Sequence, residues 1–259
     1  MRTYDIKKPG GSSVSCAEVI PDRPEKIVIA VHGFTSSKES STVQLLMKRL
    51  PERGLGVVGI DLPAHGRGES LKEELRIGAC LESLSCVEDD IAKRFPRTEI
   101  CCFASSFGAY LTMIRISTMP HRIRKAFFRS PAVNMPSLFI KKDLTGEDRA
   151  FYRELAEKGY AERNFGLGAP VRITQGFIED LACHDLFSLF DPEKYGPHTI
   201  AIARGEKDEV IDPGEAARFS KTFHIPETVF PGEGHSLSIR PETPSLVSDL
   251  ATALFLGRP

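Results

Sequence analysis

Ala104-Ser105-Ser106-Phe107-Gly108 is the stretch of this chain best suited to covalent chemistry. It joins an apolar run at residues 99–104 to a helix-like segment at 107–117. A serine held on such a strand-to-helix turn presents its hydroxyl clear of the backbone, where it can act as a nucleophile. The turn is crowded, so the residues two before and two after the serine must be small. Centred on Ser106 those residues are Ala104 and Gly108; centred on Ser105 they are Phe103 and Phe107, which would clash. Ser106 is therefore the candidate, against the plainer reading of a serine pair as a helix N-cap.

A serine nucleophile needs a base, an acid to orient the base, and donors for the oxyanion. Of seven histidines, His235 is the one beyond the last predicted strand, in Gly232-Glu233-Gly234-His235-Ser236. Glycines there free a loop to reach back over the sheet. Asp208 follows a strand and a glycine turn in Ala203-Arg204-Gly205-Glu206-Lys207-Asp208-Glu209-Val210. Glu206, Glu209 and Asp212 are rivals for the acid, although Asp212 already suits the N-cap before Pro213. His32-Gly33-Phe34 ends another strand. The amides of Phe34 and Phe107 are the expected oxyanion donors, with His32 read as structural. Phe34, Phe107, Phe151, Tyr152 and Phe165 are expected to line an apolar substrate pocket.

The elements that must position these residues read as alternating strands and helices. Strands are expected at residues 26–31, 55–60, 99–104, 123–128, 199–203 and 228–230. Helices are expected at 81–94 and 107–117, after Asp212, and around Leu246, Leu250 and Leu254. Residues 2–6 and 14–20 suit an antiparallel opening pair. Such alternation implies a mostly parallel sheet covered on both faces. It breaks down after residue 130, where the crossover is too long for one connection. A charged helix at 145–158, a strand at 171–174 and an apolar segment at 177–190 are expected there. The chain thus divides into an α/β core, 1–130 and 194–259, and a lid or cap insertion, 131–193.

Composition narrows the function class. The 259 residues are 41% hydrophobic and 27% charged, with a formal net charge of -1. No global field would draw nucleic acid or an acidic membrane surface. No run is long and apolar enough to span a membrane, and the first residues lack the apolar core of a signal peptide. Six cysteines without paired C-x-x-C spacing, and no N-x-S/T acceptor, point to a reduced, cytoplasmic setting. Neither a metal nor a cofactor is called for. Gly54-x-Gly56-x-x-Gly59 spells a dinucleotide fingerprint but runs into a strand instead of following one. Cys183-His184-Asp185 suits a helix with one buried thiol, not a shared site.

Taken together, the four loops resemble those of the α/β-hydrolases of the serine esterase and lipase kind. Ser106, Asp208 and His235 follow the chain order of that architecture, each at the carboxyl end of a predicted strand. Asp61-Leu62-Pro63-Ala64-His65-Gly66-Arg67-Gly68-Glu69-Ser70 is similar to the family's aspartate-to-serine loop. The insertion is loosely similar to that of cinnamoyl and feruloyl esterases. Ala104 departs from the usual glycine. The resemblance implies an α/β-hydrolase fold with a lid insertion and a small-molecule ester substrate. Small to medium acyl or aromatic acids would be cleaved through an acyl-enzyme without a cofactor. A thioesterase, an amidase or peptidase, and a non-catalytic binding protein of the same fold remain alternatives. Oligomeric state is open, with a homodimer among the options.

Overall fold

The computed structural model describes residues 1–257 apart from 68, 142, 164–169 and 195–198. Arg2–Lys7 (β1) and Ser13–Val19 (β2) form the antiparallel opening pair. Then come Lys26–Val31 (β3), Ser41–Arg49 (α1), Leu55–Ile60 (β4), Glu69–Lys72 (α2) and Ile77–Arg94 (α3). Glu99–Ser105 (β5), Phe107–Thr118 (α4) and Ile123–Arg129 (β6) follow. A long segment contains Met135–Phe139 (α5), Gly146–Lys158 (α6), Tyr160–Arg163 (β7), Val171–Thr174 (β8), Gln175–Cys183 (α7) and Leu186–Leu189 (α8). Ile200–Gly205 (β9), Pro213–Thr222 (α9), Glu227–Phe230 (β10) and Thr243–Leu256 (α10) complete the chain.

Eight strands make one sheet in the order β1-β2-β4-β3-β5-β6-β9-β10. Every pairing from β4 to β10 is parallel. The central strands are apolar because both faces are covered: β3 and β4 are buried almost throughout. The helices α1 and α10 seal one face with Val43, Leu46, Val247 and Phe255. On the other face α3, α4 and α9 contribute Leu84, Ile91, Leu111, Ile114 and Phe219.

The helix α1 was absent from the sequence expectation, because Ser36-Ser-Lys-Glu-Ser-Ser-Thr42 reads as a loop. Ser40 caps it by accepting from the Val43 N–H at 3.4 Å. Close packing on the sheet then holds it: a Cβ on Gly59 would meet Val43 Cγ1 at 2.7 Å and Met47 Cε at 2.8 Å. The helix α3 starts at Ile77, about a turn before the first apolar repeat read from sequence. Asp212 does cap α9, accepting from the Gly214 N–H at 2.7 Å. Glu215 does not complete a capping box there; its carboxylate takes Arg218 and Asn134 instead.

Between β6 and β9 the strands β7 and β8 pair as an antiparallel hairpin. This segment is fastened to the sheet helices. Asp180 of α7 accepts two bonds from Arg76, at 2.8 and 2.9 Å, and one from the Ile77 N–H at 2.9 Å. Tyr110 of α4, fully buried, donates to the His184 carbonyl at 2.6 Å. Cys183 is exposed, not buried as its neighbours suggested. Among the described residues no helix is long and apolar enough to cross a membrane.

Candidate active site

The chain runs outward from β3 to β4, then returns to the far side of β3 with β5. At that reversal the loops leaving β3 and β5 part and open a crevice at the carboxyl edge. His32-Gly33-Phe34 leaves β3 there, and Ser106 leaves β5. Ser106 has φ 50 and ψ −115, a left-handed conformation that non-glycine residues rarely adopt. Its backbone is held on three sides: its N–H donates to the Arg129 carbonyl, and its own carbonyl accepts from the Tyr110 and Ala132 amides. A Cβ on Gly108 would lie 2.4 Å from the His32 carbonyl oxygen, so only glycine allows α4 to start this close to β3.

The structure brings the three residues singled out by type and order into one hydrogen-bonded chain. His235 Nδ1 lies 2.8 Å from Asp208 Oδ2 and 3.0 Å from Oδ1. His235 Nε2 lies 3.0 Å from Ser106 Oγ. With a carboxylate at Nδ1 the imidazole proton sits on that nitrogen, leaving Nε2 to accept from the serine hydroxyl. Asp208 Oδ1 also accepts from the Val210 and Ile211 amides at 2.9 and 2.8 Å, which fixes the carboxylate. Asp208 and His235 are both buried. Of the rivals, Glu206 is exposed and accepts from the Gly232 amide, and Asp212 is occupied as a cap.

Glu209, the third rival, has a different place. It accepts from the His235 backbone N–H at 3.0 Å. Ser130 Oγ donates to the His235 carbonyl at 2.8 Å. Glu233 is fully buried and accepts from the Ile239 and Arg240 amides and from Thr243 Oγ1, tying the histidine loop to the start of α10. Burial alone would raise the Glu233 carboxyl, but those bonds outweigh it and hold it down to about 2. None of these supports was read from the sequence. A carboxylate inside Gly-Glu-Gly, just before the histidine, was the one available sign.

On the other side of Ser106, a Cβ on Gly33 would touch Ser106 Cβ at 3.2 Å, so the β3 loop lies against the serine. Phe34 and Phe107 meet edge to face with ring centroids 5.4 Å apart. As the first residue of α4, Phe107 has an amide with no intrahelical acceptor. His32 holds the loop: its Nδ1–H donates to the Gly33 carbonyl at 2.7 Å, and Nε2 accepts from the Leu62 N–H at 3.1 Å. Burial pushes its pKa down to about 4, so it is neutral, as a structural histidine should be. His65 is buried beside it, with Nδ1 on the Pro63 carbonyl and Nε2 without a partner among the described residues. Burial holds its pKa at about 3.

A cavity of about 560 Å³ opens over this array and has Ser106, His235, Phe34, Met135 and Leu138 on its wall. Of the aromatic residues expected to line it and described in the structure, Phe34 does so, and Phe107, Phe151 and Tyr152 do not. Phe107 is fully buried against Phe34, Tyr110 and Phe177. Phe151 is buried against Phe139 and Tyr152, under the Arg163 guanidinium. Tyr152 donates to the Phe139 carbonyl. These rings join the core to the segment between β6 and β9, and such filling is what apolar rings do when neighbours can enclose them. Phe165 lies outside the described residues. The polar half of the cavity wall, including Thr35, Ser36, Ser40 and Arg129, was not foreseen. A cation ending the run Phe127-Phe128-Arg129 was its sequence sign.

Comparison with known proteins agrees with this architecture. The chain is similar in structure to Est1E from Butyrivibrio proteoclasticus, solved with ferulic acid bound. The TM-score is 0.79 at 19% identity, covering 98% of each chain. It is also similar to mouse alpha/beta hydrolase domain-containing protein 10, with TM-score 0.73 and 13% identity over 99% of each chain. XC6422 from Xanthomonas campestris, an α/β serine hydrolase without a lid, aligns at TM-score 0.62 and 15% identity, covering 99% of this chain and 92% of that one. No curated protein matches the chain. At these identities the likenesses establish the α/β-hydrolase fold. The family model for serine aminopeptidase, S33, matches residues 22–158, more than half of the sequence. With β3, the Ser106 turn and α4 all inside that match, this chain belongs to the S33 serine aminopeptidase family of α/β-hydrolases.

Proposed function

We propose that this hydrolase is a serine carboxylesterase acting on small to medium or aromatic acyl esters, with Ser106 as nucleophile, His235 as base and Asp208 as its orienting acid. The observation that carries the reading is the unbroken chain from Asp208 through His235 to Ser106 Oγ, ending on an open cavity. His235 Nε2 takes the hydroxyl proton as Ser106 Oγ bonds to the ester carbonyl carbon. The amides of Phe34 and Phe107 receive the oxyanion. Collapse expels the alcohol, which takes the proton back from His235 and leaves an acyl-serine. Water, deprotonated by the same histidine, releases the acid and restores Ser106. Asp208 keeps the proton on Nδ1 and stabilises the imidazolium. The segment at 131–193 serves in this account as a cap anchored through Asp180 and Tyr110.

The family's name raises a second reading, peptide-bond cleavage next to a free amino terminus. That substrate presents an ammonium, which needs an unpaired carboxylate within reach. Asp61 is on the cavity wall but is paired with Lys38, and Glu39 pairs with Arg67 at 3.6 Å. The charge at hand is the Arg129 cation, of the wrong sign. The test is a series of p-nitrophenyl acyl esters beside amino-acid p-nitroanilides. Turnover of the esters and not the anilides is expected; anilide turnover matching the esters would overturn the choice.

A further inference from the structure

Arg129 closes β6 next to the nucleophile. In the sheet register it pairs with Ser105, the residue before Ser106. Alternation along the strand puts it on the same face as Phe127, which stacks on Phe103 at 5.6 Å. Its side chain forms part of the cavity wall shared by Ser106 and His235. Among the described residues its guanidinium makes no hydrogen bond and no ion pair. Burial pushes its pKa down to about 10, countered by the nearby charges of Asp208 and Glu233, so it is a cation at neutral pH. Arg67, also on this wall, differs: it is paired with Glu39.

A guanidinium brings five N–H donors, and that of Arg129, half-buried on the cavity wall, has them available to a ligand. The carboxylates of this wall, Asp61 and Glu39, are already engaged by Lys38 and Arg67. Thr35 is 3% exposed, lies on the same wall, and its Oγ1 is buried without a partner among the described residues. Ser36 and Ser40 are on the wall too, Ser40 as the cap of α1, whose first turn has no acidic residue. The cavity thus places a cation and several hydroxyls beside the nucleophile, facing an apolar side made by Met135 and Leu138.

We propose that Arg129 and Thr35 form an oxyanion-binding subsite, so that the ester cleaved at Ser106 carries a carboxylate or phosphate group besides its reacting carbonyl. This rests on the serine hydrolase reading and narrows its substrate class. The planar guanidinium fork matches either anion with two parallel bonds.

The test compares the p-nitrophenyl hemiester of glutarate with its methyl-capped, neutral counterpart. Both are assayed on the parent, Arg129→Met and Arg129→Lys, each checked for folding by its thermal melt. The parent should favour the anionic ester by roughly 10–100-fold in kcat/KM, and Arg129→Met should lose most of that ratio while Arg129→Lys keeps part of it. Because the ratio is taken within one variant, any effect of Arg129 on Asp208 cancels. A parent that prefers the neutral ester, or a ratio unchanged in Arg129→Met, overturns the subsite and leaves the hydrolase reading standing. Calorimetric titration with glutarate and with inorganic phosphate asks the same question without turnover. Binding weakened about tenfold or more by Arg129→Met supports the subsite even if neither ester is cleaved, and the tighter ligand identifies the anion. No binding of either, or binding indifferent to Arg129, overturns it.

Discussion

Replacing Gly108 by alanine adds one methyl group at the closest approach in the site. That Cβ would lie 2.4 Å from the His32 carbonyl oxygen and 2.9 Å from both the Val31 carbonyl oxygen and Val31 Cγ1. Ordinary contact begins near 3.4 Å, so backbone must yield by about 1 Å, and neither neighbouring oxygen belongs to a flexible side chain. The yielding part is the end of β3 or the start of α4, which carry the two expected oxyanion donors. A displacement of this size costs on the order of 10²-fold in rate. Overpacking costs about 1–3 kcal/mol, which lowers Tm by roughly 2–12 °C in a chain of this size. Gly78 of α3 is the control: it is exposed and helical, and an added Cβ meets nothing within 4 Å. Gly78→Ala should be neutral or stabilising by up to about 1 kcal/mol. The assay is ester kcat/KM with a thermal melt for each variant. If Gly108→Ala keeps the parental rate and Tm, the β3 loop is not wedged against α4 and the oxyanion assignment loses its basis.

Asp208→Asn should leave the fold intact but lower kcat by roughly 10⁴-fold, because the amide no longer holds the proton on Nδ1; a loss under tenfold in ester assays would remove Asp208 from the mechanism. Tyr110→Phe deletes the bond to the His184 carbonyl and should cost about 1–2 kcal/mol in denaturant melts, whereas an unchanged melt would show that this tether contributes nothing. Acid should destabilise the protein through two histidines. Burial lowers His32 from 6.5 to about 4 and His65 from 6.5 to about 3. Between those values the unfolded chain binds protons that the folded chain refuses. Unfolding free energy should therefore fall as pH drops from about 6.5 toward 4, by up to about 1.4 kcal/mol per pH unit for each histidine. A flat profile in urea melts over that range would contradict the buried, neutral assignment.

Much of this was legible in the chain because the signals were local. Runs such as Lys26–Val31 and Leu55–Ile60 are apolar throughout since both sheet faces are covered, and their strand ends match the expectation. The crowding argument that chose Ser106 over Ser105 is a statement about Cβ positions, and Gly108 shows the same crowding in three dimensions. What sequence could not supply depends on long-range packing. The helix α1 is polar along its first turn and becomes recognisable only where Gly59 admits Val43 and Met47. The fate of the aromatic residues was equally hidden: Phe107 and Phe151 turn inward among other rings, while Phe34 reaches the cavity. Arg129 was passed over because a charge at a strand end usually meets solvent or a partner. Here it lines the cavity shared by Ser106 and His235, which no short window of residues reveals.

The measurement that bears most directly on the central claim is covalent labelling with a fluorophosphonate probe, followed by peptide mapping. An activated serine attacks phosphorus and expels fluoride, and an ordinary buried or capping serine does not. One probe per chain, on the peptide carrying Ser106, is the predicted result. Ser106→Ala should abolish labelling and His235→Ala should slow it by orders of magnitude. Adduct on another serine, or labelling of Ser106→Ala at the parental rate, would contradict the assignment of Ser106 as nucleophile.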